Sequence, residues 1–215
     1  RVVWLIANGL VEPHEVLGLT FTRKAAGELS DRVGRRLRQL RRSRAGAGGS
    51  ALDALDRPTI STYNSYAASL VKDHGLRIGR EPGARLLSEA SSWQVASDVV
   101  ESWHGDLGTD AAVSTVVSAV LDLSNALSEH LLTVTEARDQ IETLVDQIVT
   151  TPFGGKRRSL HADLGRLARS LGERHALLEV VDGFQRRKRT MDAVDFGDQV
   201  SLAAQLALEV DAVAA

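Results

Sequence analysis

The sequence predicts a mainly α-helical protein with a small parallel α/β part. Two short β-like runs near the start are each followed by a helical pattern, and about a hundred residues with helical spacing come after them. Successive strand-helix units predict parallel strands joined by right-handed crossovers. We therefore expect a small parallel sheet and a larger, all-helical body.

The composition is that of a globular protein. The chain has 215 residues, of which 43% are apolar, so it can bury a sizeable core. Cysteine is absent, which excludes a disulfide framework, a thiolate metal site and a cysteine nucleophile, and favours a reducing, cytoplasmic location. The sequence contains neither an apolar run long enough to cross a membrane nor a signal-peptide layout, so no membrane partner is expected.

Charge is unevenly distributed, although the formal net charge is only −2. The last segment, residues 192–211, is acidic, whereas a basic cluster precedes residue 45 and consists of Arg35, Arg36, Arg38, Arg41, Arg42 and Arg44. Such a run is most often a solvated helix face, and it also suffices for nonspecific attraction to phosphates.

The first strand-helix unit changes its hydrophobic period within a few residues. Residues 1–10 favour a short helix that stops at Asn8-Gly9, and residues 16–19 form an apolar run suited to a buried strand. Thr22 stands where a helix N-cap is expected. From there the apolar residues follow the three-and-four spacing of one helical face: Ala25, Ala26, Leu29, Val33, Leu37 and Leu40.

The second unit repeats this design. Residues 58–62 contain β-branched side chains that predict a strand, and a helix through residues 67–71 ends at His74-Gly75. The stretch between the two units, AGAGGS at 45–50, has the composition of a flexible linker. In parallel strands both junctions fall on the same sheet edge, which places 21–24 beside 62–65.

The chemistry of these junctions suits a polyanion. Helix-terminal amides and the cations Arg23 and Lys24 favour phosphate, and an aromatic ring beside them suits a single nucleic-acid strand. From the pattern alone, Phe21 and Tyr63 are equally compatible with core positions.

Helical spacing continues after Pro82-Gly83. Thr133 and Glu136 predict a capping box, and Trp93 and Trp103 are expected in the core at helical spacing. A long helix ends in the basic run 186–189, interpreted as a solvated face. The aspartates near Asp195 fit helix capping or an interface as well as a functional role.

Several catalytic motifs are missing. Gly154-Gly155-Lys156 is followed by Arg157 and therefore fails the P-loop pattern. An Asp-Glu dipeptide, which would hold magnesium in a nucleotide hydrolase, does not occur. The six histidines lack metal-ligand spacing, and no Gly-x-Ser-x-Gly elbow exists. This stretch alone is therefore not expected to be an enzyme.

Four segments carry a resemblance to a known family. LGLTFTRKAAGEL, residues 17–29, resembles motif Ia (usually TFTNKAA) of the UvrD/Rep/PcrA-like and RecB-like superfamily 1 DNA helicases. STYNSYAASLV, residues 61–71, is similar to the next motif, commonly Gly-Thr-Phe-His-Ser. MDAVDFGDQVSLA, residues 191–203, is similar to the segment before the magnesium-binding motif, and residues 1–10 are similar to the helix after the P-loop.

The resemblance implies a domain organisation. Residues 1–80 would belong to the RecA-like subdomain 1A, residues 81–190 to the inserted helical subdomain 1B, and residues 191–215 to the return into 1A. The chain would then be a fragment lying between the Walker A and Walker B motifs. Its Ala-, Arg-, Gly- and Val-rich composition favours an actinobacterial source.

The resemblance also implies contacts with single-stranded DNA. They would come, through stacking and phosphate contacts, from eight residues: Phe21, Thr22, Arg23, Lys24, Thr62, Tyr63, Asn64 and Ser65. Arg23 replaces the usual Asn, and Tyr63 and Asn64 replace Phe and His. Asp195, Phe196 and Asp198 match the third segment and receive no catalytic role.

The implied function is the single-strand-binding portion of an ATP-dependent DNA helicase or helicase-nuclease. ATP and Mg²⁺ would serve the whole protein and not bind this fragment. The implied partners are single-stranded DNA or a single-strand/duplex junction, the remaining helicase subdomains and a second helicase-nuclease subunit. Two alternatives stay open: a helical duplex-DNA-binding regulator and a non-catalytic interaction scaffold.

Overall fold

A computed structural model describes residues 1–45, 57–107, 109–151 and 161–214. The chain divides into two compact units, Arg1–Ser69 and Leu70–Ala215. The assignment to subdomains 1A and 1B stays a prediction. Most of the expected linker and the Gly154-Gly155-Lys156 sequence lie outside the described residues.

The first unit contains the two predicted strand-helix pairs. Its elements are α1 (Val2–Ala7), β1 (Leu17–Thr20), α2 (Arg23–Ala45), β2 (Thr59–Thr62) and the start of α3 (Tyr63–His74). The strands β1 and β2 pair in parallel, as expected for successive units with the same chain direction. Helix α2 packs on both strands and on α1.

Helix α2 has one buried face, and its position follows from the apolar spacing. Ala26, Val33 and Leu37 are each exposed by less than a tenth, while the residues between them are mostly exposed. Three- and four-residue steps place these side chains in one stripe. The rest of α2 is thereby left for polar and charged side chains.

The second unit is helical apart from two short strands. Its elements after α3 are β3 (Arg85–Leu86), α4 (Glu89–Glu101), α5 (Val113–Glu129), α6 (Val134–Thr150), α7 (Ala162–Thr190), β4 (Ala193–Val194), α8 (Phe196–Glu209) and α9 (Asp211–Ala214). Helices α4, α5 and α7 pack around fully buried side chains that include Ala96, Val117, Val120, Val181 and Phe184. The predicted mainly helical fold with a small parallel part is confirmed.

Two details differ from the sequence-based expectation. Strands β3 and β4 pair in parallel, with Leu86 opposite Val194, whereas no strand was expected after Pro82-Gly83. A two-residue strand has no period that a sequence pattern can reveal. Trp93 is 43% exposed instead of buried, although Ser97 and Val100 on the same side of α4 are buried.

Candidate nucleic-acid interface

The register of the small sheet brings the two strand-helix junctions to one edge. Thr20, the last residue of β1, pairs with Thr62, the last residue of β2. Phe21 and Tyr63 come directly after these residues. Two segments far apart in sequence therefore leave the sheet at the same level, as the parallel arrangement predicts.

The two aromatic rings at this edge are in contact. Their centroids are 5.3 Å apart and their planes make an angle of 36°, within the range that favours aromatic pairs. Phe21 is 91% exposed and Tyr63 48% exposed. The alternative that these rings belong to the core is therefore wrong, and the pair forms an apolar surface open to solvent.

Both junctions are held by threonine caps. The Thr22 Oγ1 accepts a hydrogen bond from the backbone N–H of Ala25 at 3.1 Å. The Thr62 Oγ1 accepts from the backbone N–H of Ser65 at 3.2 Å and donates to the Ser65 Oγ at 2.8 Å. Thr62 is buried, so it supports the edge from below while Tyr63 lies on the surface.

Positive charge at this edge is uncompensated. Arg23 and Lys24 are exposed, and within the described ranges neither has a carboxylate at ion-pair distance. No acidic residue occupies the first turn of α2 or of α3, although carboxylates are favoured there by the helix dipole. Asn64 and Ser65 are also exposed. The edge thus combines two rings, two cations, two helix N-termini and polar side chains.

A third strand-helix junction, between β4 and α8, is organised differently. Asp195 and Asp198 form a reciprocal capping box at the start of α8. The Lys188 Nζ lies 2.6 Å from an Asp195 carboxylate oxygen and 2.7 Å from one of Asp198. It also lies 4.8 Å from the centroid of the Phe184 ring.

The reading of residues 186–189 as a solvated face was wrong for Lys188, whose side chain is only 4% exposed. Its two carboxylate partners satisfy the buried charge. The Asp-x-x-Asp spacing at 195–198 was a signal for a capping box. Nothing in the local pattern indicated that a lysine of the preceding helix would join it.

The described part of the chain offers no grouping of three His, Cys, Asp or Glu side chains suited to a metal ion. None of its helices is both long and apolar enough to cross a membrane. The groups that could contact a ligand at the edge of the β1-β2 sheet are the exposed rings, cations and polar side chains of the β1-α2 and β2-α3 junctions.

Comparisons with known proteins give one family. The sequence model of the family described as UvrD/REP helicase N-terminal domain matches residues 1–215. The proteins named ATP-dependent DNA helicase PcrA from Staphylococcus aureus strains Mu50, NCTC 8325 and COL are each 24% identical over 160 residues. This similarity covers 74% of the chain and 19% of each relative's length.

Proposed function

Because this chain belongs to the UvrD/REP helicase N-terminal domain family, we propose that it is the single-strand-DNA-binding portion of an ATP-dependent DNA helicase or translocase. The observation that carries the proposal is the exposed Phe21-Tyr63 pair at the edge where both parallel strands end. The two rings contact each other and both are open to solvent, an arrangement that suits stacking with the bases of a nucleic-acid strand.

Stacking supplies the first part of the proposed binding. Every base has a π-face, so an exposed ring accepts any base and does not depend on sequence. Two rings 5.3 Å apart offer neighbouring surfaces to consecutive bases of one strand. Bases of a closed duplex are stacked on each other and do not reach such rings, which is why we assign the edge to a single strand.

Phosphate contacts supply the second part. Arg23 and Lys24 place two exposed cations beside the rings, and the amides at the start of α2 and α3 favour anions. The hydroxyls of Thr22 and Ser65 already accept hydrogen bonds and retain their own protons for donation to a phosphate oxygen. The amide of Asn64 adds a neutral donor, and the buried Thr62 acts by positioning Tyr63.

Family membership implies ATP and Mg²⁺ for the whole protein. The described residues do not fit the metal, since they contain no suitable cluster of ligands and the carboxylates of Asp195 and Asp198 are engaged by Lys188. We therefore assign no step of ATP hydrolysis to this chain. Its proposed contribution is to hold the strand along which the whole protein would move.

The proposal is tested by replacing each ring. Phe21→Ala and Tyr63→Ala should each weaken binding of a fluorescent single-stranded oligonucleotide by about 1 to 3 kcal/mol, the usual cost of losing one base-aromatic stack. Trp4→Ala is the matched control, because Trp4 is a 61% exposed aromatic of the same unit outside the edge. Unchanged affinity in both ring variants would refute the assignment.

The same titration separates the alternatives. A helical regulator would prefer a duplex of defined sequence, whereas the proposed edge prefers a single strand of any sequence. An interaction scaffold would show no salt-dependent DNA binding at all. Competition between unlabelled single-stranded and duplex oligonucleotides therefore discriminates all three.

A further inference from the structure

We call residues 21–24 and 62–65, at the two strand-helix junctions of the first unit, the aromatic edge. The distal half of α2 carries a concentration of positive charge that lies outside these eight residues. Helix α2 contains nine Arg and Lys residues and two carboxylates, Glu28 and Asp31, for a formal charge of +7. All seven cations from position 32 onward are arginines, and no carboxylate follows Asp31 in the helix. The whole chain has a formal net charge of −2, so the positive charge is concentrated in this helix.

Three of these arginines share one face of the helix. Arg35, Arg38 and Arg42 are exposed and, at 100° per residue, fall within an arc of about 60° opposite the buried stripe. They extend over about 10 Å of helix axis. We call these three residues the arginine surface. Arg32 and Arg36 are also exposed and lie on one side of it, between this face and the buried stripe.

The charges of this surface are available to a ligand. Arg35 donates from Nε to the backbone oxygen of Asp31 at 3.4 Å, and Arg36, the next residue along the helix, donates to the amide oxygen of Gln39 at 3.3 Å. Both acceptors are neutral. Among the described residues, no carboxylate pairs with Arg35, Arg38 or Arg42.

The segment just before β2 adds a further arginine near Arg38. A cleft of about 100 Å³ lies between α2 and the start of β2, and both Arg38 and Arg57 line it. Ser30 and Gly34 form part of its wall, and Asp31 is its one acidic lining residue. Arginines from two separate segments therefore line the same small cleft.

The chemistry of the surface favours a phosphate backbone over a protein. Protein interfaces centre on buried aromatic or aliphatic anchors, yet α2 has no exposed large apolar side chain in its described part. Helix α2 also contains no aromatic residue. A site for single-stranded nucleic acid normally stacks bases on aromatic rings, so this surface does not suit a single strand. Arginine forks match phosphate oxygens in a bidentate way, and duplex DNA has one charge per about 1.7 Å of axis.

We propose that the arginine surface is a second nucleic-acid contact, one that binds the phosphate backbone of duplex DNA without reading its sequence. It lies about 20 to 30 Å along α2 from Arg23 and is thus distinct from the aromatic edge. Its length matches about three phosphates of one strand along the duplex axis. The inference rests on the proposed function only in taking DNA as the ligand of this chain.

The test measures duplex affinity of the whole chain against salt concentration. The variant R35Q/R38Q/R42Q removes three charges, and glutamine keeps helix propensity. Loss of three phosphate contacts should lower the magnitude of the slope of log K against log salt by about 2 to 3, and affinity at low salt by about tenfold or more. Circular dichroism establishes that the variant keeps its helices.

The matched control is R77Q/R169Q/R174Q, which removes three exposed arginines of the second unit. If the proposal holds, the slope of log K against log salt for this control should differ from that of the parent chain by no more than about one, the change expected for one phosphate contact. An equal loss in both triple variants would overturn it, since net charge would then explain the effect. Equal loss of duplex and poly-glutamate binding in the R35Q/R38Q/R42Q variant would also overturn it, in favour of an acidic protein partner.

The two proposals fail separately. If the ring variants keep single-strand affinity while the R35Q/R38Q/R42Q variant loses duplex slope, the aromatic edge is refuted and the arginine surface stands. If the ring variants lose single-strand affinity while the duplex slope is unchanged in the R35Q/R38Q/R42Q variant, the arginine surface is refuted and the aromatic edge stands.

Discussion

The β1-α2 and β2-α3 junctions and the β4-α8 junction share a local design and differ in what happens to their charges. In each, a capping residue lies no more than two residues beyond the last strand residue, and its side chain accepts a hydrogen bond from a backbone N–H of the following helix; these residues are Thr22, Thr62 and Asp195. At β4-α8 the charges are paired within the chain by the buried Lys188. At the first two junctions the cations and rings are exposed.

This difference teaches that a capped strand-helix junction does not by itself indicate a ligand site. The first turn of α8 holds Asp198, which completes the capping box. The first turns of α2 and α3 hold no acid, so their positive ends are left for an external anion. The unpaired charge and the exposed rings separate the two kinds of junction.

The largest effect is expected at the paired junction. Lys188→Met should lower the free energy of unfolding by about 3 to 5 kcal/mol, because it leaves two mostly buried carboxylates without their partner. Denaturant titration measures this loss. Lys72→Met is the control, since Lys72 is exposed and its loss should cost little.

A combined variant sharpens this result. K188M/D195N/D198N removes the charges together and should recover a large part of the stability lost in K188M. If K188M unfolds at the same denaturant concentration as the parent chain, the pairing does not stabilise the junction and the contrast between the junctions disappears.

The threonine caps should give a smaller effect. Thr62→Ala should cost about 1 to 2 kcal/mol, because the buried hydroxyl both accepts from and donates to Ser65. Thr22→Ala should cost about 1 kcal/mol or less, since Thr22 is exposed. Thermal unfolding measures both, and Thr62→Ser should restore most of the loss. A larger loss of unfolding free energy for Thr22→Ala than for Thr62→Ala would contradict the view that the buried Thr62 hydroxyl stabilises the β2-α3 junction.

The smallest effect concerns an exposed capping box. The backbone N–H and the hydroxyl of Thr133 hydrogen-bond to Glu136 and hold its pKa below the ordinary value for glutamate. The contribution of this carboxylate to stability is therefore complete above its unfolded-state pKa and is lost as the pH falls through the lowered folded-state pKa. Glu136→Gln should flatten the acid limb of a plot of melting temperature against pH. Identical acid limbs for the parent and E136Q would refute this.

Local features of the sequence accounted for much of the fold. The period change around Thr22 and the Thr133-Glu136 spacing predicted helix starts that the structure contains, because caps and periodicity involve residues close in sequence. The parallel pairing then followed from the repeated strand-helix order. The Phe21-Tyr63 contact is a consequence of that pairing.

Other features depend on contacts that no local pattern records. In the sequence, Lys188 is one of four consecutive basic residues. It becomes the buried partner of Asp195 only because the fold places the start of α8 beside it. The pairing of Leu86 with Val194 joins segments separated by more than half of the unit. For the eight residues of the aromatic edge, the sequence supplied the assignment through a family resemblance, and their roles in binding are proposals.

The central claim is that the two junctions act as one single-strand-binding surface, and a double-mutant cycle on Phe21 and Tyr63 tests it most directly. Single-strand affinity is measured for the parent, F21A, Y63A and F21A/Y63A. Since the rings are in contact, we predict a coupling free energy of about 0.5 kcal/mol or more between the two losses. Losses that add without coupling, or no loss in any variant, would contradict the claim.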